Sequence, residues 1–246
     1  MGDSSDFRVL QGGDNCIIID FGEEISMGLN RKVHNLKNWI SKKQYPGIIE
    51  TVPTYRSLAV YFDPDKFDLK YFSGDVQKVE PPILDSFPPE RKIIHIPVSY
   101  GNHFGPDLTD VAEYHGLTME KVIQIHSRPI YHCYMLGFTP GFAYLGGMDE
   151  RIATPRLTEP RKAIPSGSVG IAGHQTGIYP IESPGGWKII GRTPLKLFDP
   201  SADPPVMILS GWGVRFYPVP TDKYEAIKEM VLSGRYEPEI TAREDR

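Results

Sequence analysis

The chain has 246 residues but only two cysteines, Cys16 and Cys133. Each lies in an apolar run (NCIIID, HCYML), so the expectation is two buried, reduced thiols rather than a disulfide framework. No CxxC and no zinc-type Cys/His spacing occurs. Seven histidines are present, yet none stands in an HxH, HxxxH or HExxH pattern, and no metal is expected. Excess positive charge is lacking too. Lys and Arg number 27 against 31 acidic residues, a net −4, which argues against partners held by bulk charge such as nucleic acid or an anionic membrane. No apolar run approaches the roughly 18–20 residues that span a bilayer. The opening MGDSSDFRVL has neither the basic nor the apolar region of a secretory signal, so the cytoplasm is the expected compartment.

Several catalytic signatures are also missing. There is no GxxxxGK[ST] cradle for nucleotide phosphates and no GxSxG elbow. Ser166 and Ser168 lie in a glycine loop with His174 downstream, but no acid is placed to orient that histidine. GSVGIAG is not followed by a helix and so makes a poor dinucleotide fingerprint. LTDVAEYHGLTMEKVIQIH has the helix–Gly turn–helix spacing of a DNA reader, but its second helix mixes Lys121 and Gln124 with Glu120. Two packing helices are expected instead.

What is there falls into two blocks. FRVL and NCIIIDFG read as strands, and ISMGLNRKVHNLKNWISKK as an amphipathic helix with Ile25, Leu29, Val33, Leu36, Trp39 and Ile40 on one face. IIETVPTYRSLAVYFDP reads as two more strands around Pro53-Thr54. This ββαββ pattern over residues 1–77 predicts a small α+β sandwich, one sheet with helices on one face. KVEPPILDSFPPER follows, and its two Pro-Pro pairs predict a stiff, extended linker over 78–92.

Over 93–220 the chain opens with the strand KIIHIPVSY and two short helices, Asp107 to Tyr114 and Met119 to Ser127, the second capped by Thr118. Short apolar pieces separated by Gly or Pro then predict a closed or sandwiched β architecture. Residues 221–246 give a last helix ending at Gly234 and a polar tail expected to fray.

Within the second block, GSVGIAGHQTGIYPIESPGGW concentrates glycine at 167, 170, 173, 177, 185 and 186. Glycine permits close backbone approach and positive φ. The segment predicts two strands bent at glycine, then a tight turn at Pro184-Gly185-Gly186 leading to Trp187. Together these would form one wall of a concave site, with Gln175, Thr176 and Tyr179 as polar tips. LGFTPGFAYLGG would form the opposite wall, with Phe138, Phe142 and Tyr144 flanking the Pro140-Gly141 turn. Arg156, Arg161 and Arg192 are the nearby cations that could grip a carboxylate or phosphate. Ser168, His174, Gly185, Gly186 and Trp187 complete the candidate pocket set; no catalytic residue is assigned.

The string from YMLGFTPGFAYLGG through PRKAIPSGSVGIAGHQTGIYP to SPGGWKIIGRTPLKLFDP closely resembles the KipI family, also called the B subunit of 5-oxoprolinase and related to the allophanate hydrolase subunit 1 domain. The likeness runs from about Ile93 to Pro218 and is weaker before that. It implies a small α+β N-terminal domain and a mainly-β, cyclophilin-like barrel. It implies one subunit of an ATP-dependent 5-oxoprolinase, which opens the lactam of 5-oxo-L-proline to L-glutamate with partner subunits A and C. ATP is thus implied for the complex. Some members are described as inhibitors of a sporulation sensor histidine kinase, and related domains act in carboxyl transfer in urea carboxylase. Those give two alternatives: a kinase-inhibiting regulator, or a partner subunit of a urea- or allophanate-metabolising enzyme. His174 departs from the small or amide residue expected before Gln175. An ATP-driven lactam opening needs cations for phosphate, donors for an oxyanion, and a base. The first two are expected from Arg156, Arg192 and the glycine N–H groups. No base is recognisable, so the pocket is expected to be completed by a partner.

Overall fold

The computed structural model describes residues 7–85 and 92–242. The chain divides into two compact units, Met1–Pro89 and Glu90–Arg246.

In the first unit β1 (Arg8–Gln11) and β2 (Cys16–Asp20) form an antiparallel hairpin. Helix α1 (Met27–Lys43) starts at Ser26, whose Oγ accepts the Leu29 N–H at 3.2 Å. β3 (Ile48–Pro53) and β4 (Ser57–Phe62) follow, and the sheet order is β1-β2-β4-β3. One face of the sheet, carrying Ile17, Ile19, Leu58 and Val60, packs on Val33, Leu36 and Ile40 of α1. Ile25, expected on that stripe, stands outside the helix and is exposed.

Two further helices lie where none was anticipated. α2 (Leu69–Val76) is capped by Asp68 and buries Phe72 and Val76 in the same core. α3 (Pro81–Asp85) falls inside the segment expected to be an extended linker. The reason is positional. Proline breaks a helix in its interior but suits the first helical position, where its missing N–H has no partner to lose. Leu84 is buried, and its carbonyl accepts the Asn35 Nδ2–H at 2.7 Å, so α3 belongs to the first unit's core. The second Pro-Pro pair lies outside the described residues.

The second unit begins with β5 (Lys92–Tyr100), α4 (Leu108–Tyr114) and α5 (Met119–Ser127), the last capped by Thr118 Oγ1 accepting the Lys121 N–H at 3.2 Å. Then come β6 (Tyr131–Leu136), β7 (Ala143–Gly146), a 3-10 turn (Glu150–Ile152), β8 (Arg161–Ile164), β9 (Ser168–Ala172), β10 (Gln175–Ile178), β11 (Ser183–Gly185), β12 (Lys188–Arg192) and β13 (Gly213–Pro218). The order β12-β9-β10-β7-β6-β13-β5 closes through a β12–β5 pairing, giving a seven-stranded barrel. The pairing of β13 with β5 is parallel. β8 and β11 form a separate two-stranded sheet. After α6 (Thr221–Leu232), β14 (Ile240–Ala242) pairs antiparallel with β5. The tail expected to fray is therefore tied down over those residues, with His95 Nε2 and Thr241 Oγ1 3.1 Å apart. No helix among the described residues is long and apolar enough to cross a membrane.

The barrel interior is apolar, with Ile96, Val98, Cys133, Leu145, Val169, Ile171 and Val214 all buried. Burial pushes the Cys133 thiol up to about 12, and both cysteines are free and buried. A small polar network sits in this core. His126 is fully buried and stacks on Phe216 at 4.7 Å. Thr176 Oγ1 donates to the Gly170 carbonyl at 3.0 Å, so it accepts from His126 Nε2 at 2.9 Å. That leaves Nδ1 to accept the Tyr100 hydroxyl at 2.8 Å. Both ring nitrogens are satisfied with the imidazole neutral, and burial drives its pKa from the usual 6.5 down to about 3.

The unfolded chain thus binds a proton at His126 that the folded chain refuses. Stability from this group is complete above about pH 6.5 and falls as pH drops toward 3, by at most about 1.4 kcal/mol per pH unit. Urea unfolding across that range should show a steeper acid-side loss for the natural protein than for His126→Gln, which has no titrating group there. Parallel curves for the two proteins would refute this account of the core.

Candidate functional site

The glycine-rich segment builds the outer wall of the barrel, and strand alternation decides which side chains share a face. In β9, Val169 and Ile171 enter the barrel core, so Ser168, Gly170 and Ala172 face outward. In β10, Thr176 and Ile178 face inward, so Gln175 and Gly177 face outward. Gly170 and Gly177 are cross-strand partners. Their missing side chains leave a flat patch on which aromatic rings lie. A Cβ on Gly177 would meet Trp187 Cζ3 at 2.9 Å and Phe142 Cζ at 3.2 Å, and one on Gly170 would meet Trp187 Cβ at 3.2 Å.

On this patch Phe142, Tyr179, Trp187, Ala172, Ile164 and Ile189 form their own apolar cluster, with Tyr144 packed beside it. Phe142 is its hub. Its ring meets Tyr144 at 5.1 Å, and Tyr179 and Trp187 at 5.4 Å each, all edge-on. The β8–β11 pair lies alongside. A Cβ on Gly185 would collide with the Tyr179 hydroxyl, so only glycine lets this strand approach so closely.

A cavity of about 350 Å³ opens here, lined by Phe138, Phe142, Tyr144, Tyr179 and Trp187, by Arg156, and by Pro160, Pro184, Gly185 and Gly186. Phe138 forms the rim. It is 62% exposed, 5.6 Å from Phe142, and held at φ 67°. A bulky residue in the left-handed region is rare and costs on the order of 1 kcal/mol or more. The turn that imposes it is closed by the Gly137 N–H on the Phe142 carbonyl (3.1 Å) and the Phe142 N–H on the Thr139 carbonyl (3.0 Å).

The three flagged arginines have three different fates. Arg161 forks onto Asp107 with bonds of 2.8 and 2.7 Å, and Asp107 also accepts the Ile189 N–H at 2.6 Å. Arg161 is therefore a neutralised clamp, not a cation for a ligand. Arg192 lies at the far end of β12, five residues past Trp187 and so about 16 Å along the strand. Its cross-strand partners are Ser99 and Ser168. Arg156 lines the cavity, is exposed, and has no carboxylate within ion-pair distance among the described residues. Burial raises the Tyr179 phenol above its ordinary value, opposed by the Trp187 backbone N–H and by Arg156 and Arg161, so it stays protonated at neutral pH.

The expected wall carrying Gln175, Thr176, Tyr179 and Arg192 together does not form. Gln175 and Thr176 are consecutive strand residues and point to opposite faces. Thr176 and Ser168 are fully buried, and His174 is exposed at the two-residue turn between β9 and β10. Pro140 is exposed in its turn and does not line the cavity. Nine of the residues expected to wall the site do come together: Phe138, Phe142, Tyr144, Arg156, Tyr179, Pro184, Gly185, Gly186 and Trp187. Asp107 and Pro160 were not anticipated. Asp107 looked like an ordinary helix start after Pro106, and its partner lies 54 residues away. Among the described residues, no three His, Cys, Asp or Glu side chains gather as a metal site.

Residues 7–208 match the family described as "Carboxyltransferase domain, subdomain C and D". The B subunit of the Bacillus subtilis 5-oxoprolinase is 44% identical over 233 residues, spanning 91% of this chain and 97% of that protein. The B subunit of the Escherichia coli O157:H7 5-oxoprolinase is 37% identical over 207 residues, or 84% of this chain and 93% of that one. Among solved structures, a conserved uncharacterized protein from Pyrococcus horikoshii is 48% identical, with a TM-score of 0.53 over 88% of this chain and 100% of that chain.

The Asp107–Arg161 clamp gives a stability prediction. Asp107→Ala leaves a guanidinium and the Ile189 N–H without their acceptor. The expected loss is about 2–3 kcal/mol in urea unfolding, below the full range for a buried pair because the Arg161 side chain is 33% exposed. Pairing it with Arg161→Met should recover part of that loss. A single variant within about 0.5 kcal/mol of the natural protein would show that the clamp is not needed.

Proposed function

The chain belongs to the family of 5-oxoprolinase B subunits, and from that premise we propose that it works as the B subunit of an ATP-dependent 5-oxoprolinase, with the aromatic cavity as its share of the substrate site. The reaction opens the lactam of 5-oxo-L-proline to L-glutamate, with subunits A and C as partners. The observation that carries the reading is Arg156, a cation with no ion-pair partner among the described residues, at the edge of an aromatic hollow of about 350 Å³. A small lactam ring with a carboxylate suits that combination. The ring packs on the edges and faces of Phe142, Tyr144 and Trp187. The carboxylate takes the forked donors of Arg156. Tyr179, buried and kept protonated, lies in the lining beside them.

The cavity does not hold every group the reaction needs. Lactam hydrolysis must break amide resonance, and ATP provides a route by phosphorylating the amide oxygen before water adds. No Asp, Glu or His lines the cavity, and the Tyr179 phenol is shifted away from use as a base at neutral pH. The sequence has no P-loop, and we assign no nucleotide to this hollow. The base and the nucleotide therefore come from the partner subunits. Phe138, held out at the rim at a cost in backbone energy, is a natural contact for whatever closes the cavity. The barrel's resemblance to cyclophilin concerns architecture alone, since a fold does not carry an activity with it.

Two measurements test the proposal. ATP hydrolysis dependent on 5-oxoproline should be absent from the purified chain and appear on adding subunits A and C. In the assembled enzyme, Arg156→Gln should raise KM for 5-oxoproline about ten- to hundredfold, the worth of a charge-assisted hydrogen bond. Turnover by the lone chain, or unchanged kinetics in the variant, would refute the assignment. A chain that leaves A and C idle but blocks autophosphorylation of a sensor kinase would favour the regulatory alternative.

A further inference from the structure

A second hollow, of about 410 Å³, lies between α5 and the turn that follows β7. Helix α5 presents Lys121, Gln124 and Ile125 to it, and Arg128 extends the same stripe two turns from Lys121. The opposite wall is Gly147, Asp149 and Arg151. Three cations thus face one carboxylate, in a chain whose net charge is −4.

That carboxylate is already taken. Arg151 forks onto Asp149 at 2.9 and 2.6 Å and, with a smaller through-space contribution from Arg128, holds its pKa down to about 2. Lys121 Nζ donates only to the neutral Gln124 Oε1, at 2.9 Å. No carboxylate among the described residues lies within ion-pair distance of Lys121 or Arg128. Lys121 also sits in the first turn of α5, where the helix dipole disfavours a cation. Helix stability does not account for its charge there, and an anionic ligand would. Part-exposed Pro129 and the edge of Ile125, a core residue only 5% exposed, add apolar surface to the same hollow.

We propose that this cleft is a binding site, separate from the aromatic cavity, for a small phosphorylated ligand. Its dianionic phosphoryl group lies between Lys121 and Arg128, and its carbon skeleton lies on Pro129 and against the edge of Ile125. Lys121 supplies a mobile point charge and Arg128 a planar fork, a pair suited to a tetrahedral dianion. The volume exceeds what inorganic phosphate alone fills. The inference does not depend on the oxoprolinase reading, because no residue is shared with the aromatic cavity.

The test is calorimetric titration of the full chain with inorganic phosphate, pyrophosphate and glycerol 3-phosphate, at constant ionic strength held with chloride. Saturable binding is expected for at least one probe, weakened at least about tenfold in the Lys121→Gln/Arg128→Gln double variant. Arg156→Gln should bind as the natural chain does. Tighter binding of the ester than of inorganic phosphate would identify a phosphorylated small molecule as the ligand; equal binding would identify the free anion and overturn the assignment of a carbon skeleton to Ile125 and Pro129. Thermal unfolding of the double variant checks that it is folded. No saturable binding, unchanged affinity in the double variant, or an equal loss in Arg156→Gln would each overturn the proposal.

Discussion

The aromatic cavity depends on a single carboxylate. Asp107 stands at the start of α4, yet its side chain does not cap that helix. It instead holds both arms of the Arg161 guanidinium and the Ile189 backbone N–H. Its own N–H donates to the Ile189 carbonyl at 2.9 Å. One residue thus joins α4, β12 and β8, and so fixes the small β8–β11 sheet beside the barrel wall. Without that sheet Gly185 would not lie against the Tyr179 hydroxyl, and the cavity would lose the side formed by Pro184, Gly185 and Gly186. The clamp is costly to break because removing Arg161 strands a carboxylate that is only 6% exposed.

Around that clamp the barrel separates two kinds of polar chemistry. Inside, His126 is neutral and fully bonded through Tyr100 and Thr176, an arrangement that gives order rather than reactivity. Outside, Arg156 is exposed at the edge of a hollow whose lining includes the buried Tyr179. β10 serves both sides from consecutive positions. Thr176 belongs to the core, and Gly177 makes room for the rings of Phe142 and Trp187. The strand cannot shift register by one residue without turning the glycine into the barrel core and the threonine out under the rings.

Much of this was legible in the sequence, for identifiable reasons. Helix α1 follows from apolar spacing and the capped α5 from Thr118, both local signals. The clustering of Phe138, Phe142, Tyr179 and Trp187 follows from glycines that can only serve close approach. Other features were not legible because they depend on direction or distance. Gln175 and Thr176 look like one polar tip until strand alternation separates them. Arg161 and Arg192 look like ligand cations until Asp107 claims the first and strand length removes the second. The Pro81-Pro82 pair reads as a rigid spacer, although proline equally suits the first turn of a helix such as α3. Nothing local marks Lys121 and Arg128 as facing a shared cleft, because the opposite wall comes from residues beyond β7.

The central claim is that the hollow outside the barrel is one half of a substrate site. The most direct measurement is a structure of the chain assembled with subunits A and C and soaked with 5-oxoproline. The account predicts the ligand ring among Phe142, Tyr144 and Trp187, its carboxylate on Arg156, and partner residues over Phe138. A ligand bound elsewhere, with this cavity empty and open to solvent in the assembled enzyme, would contradict it.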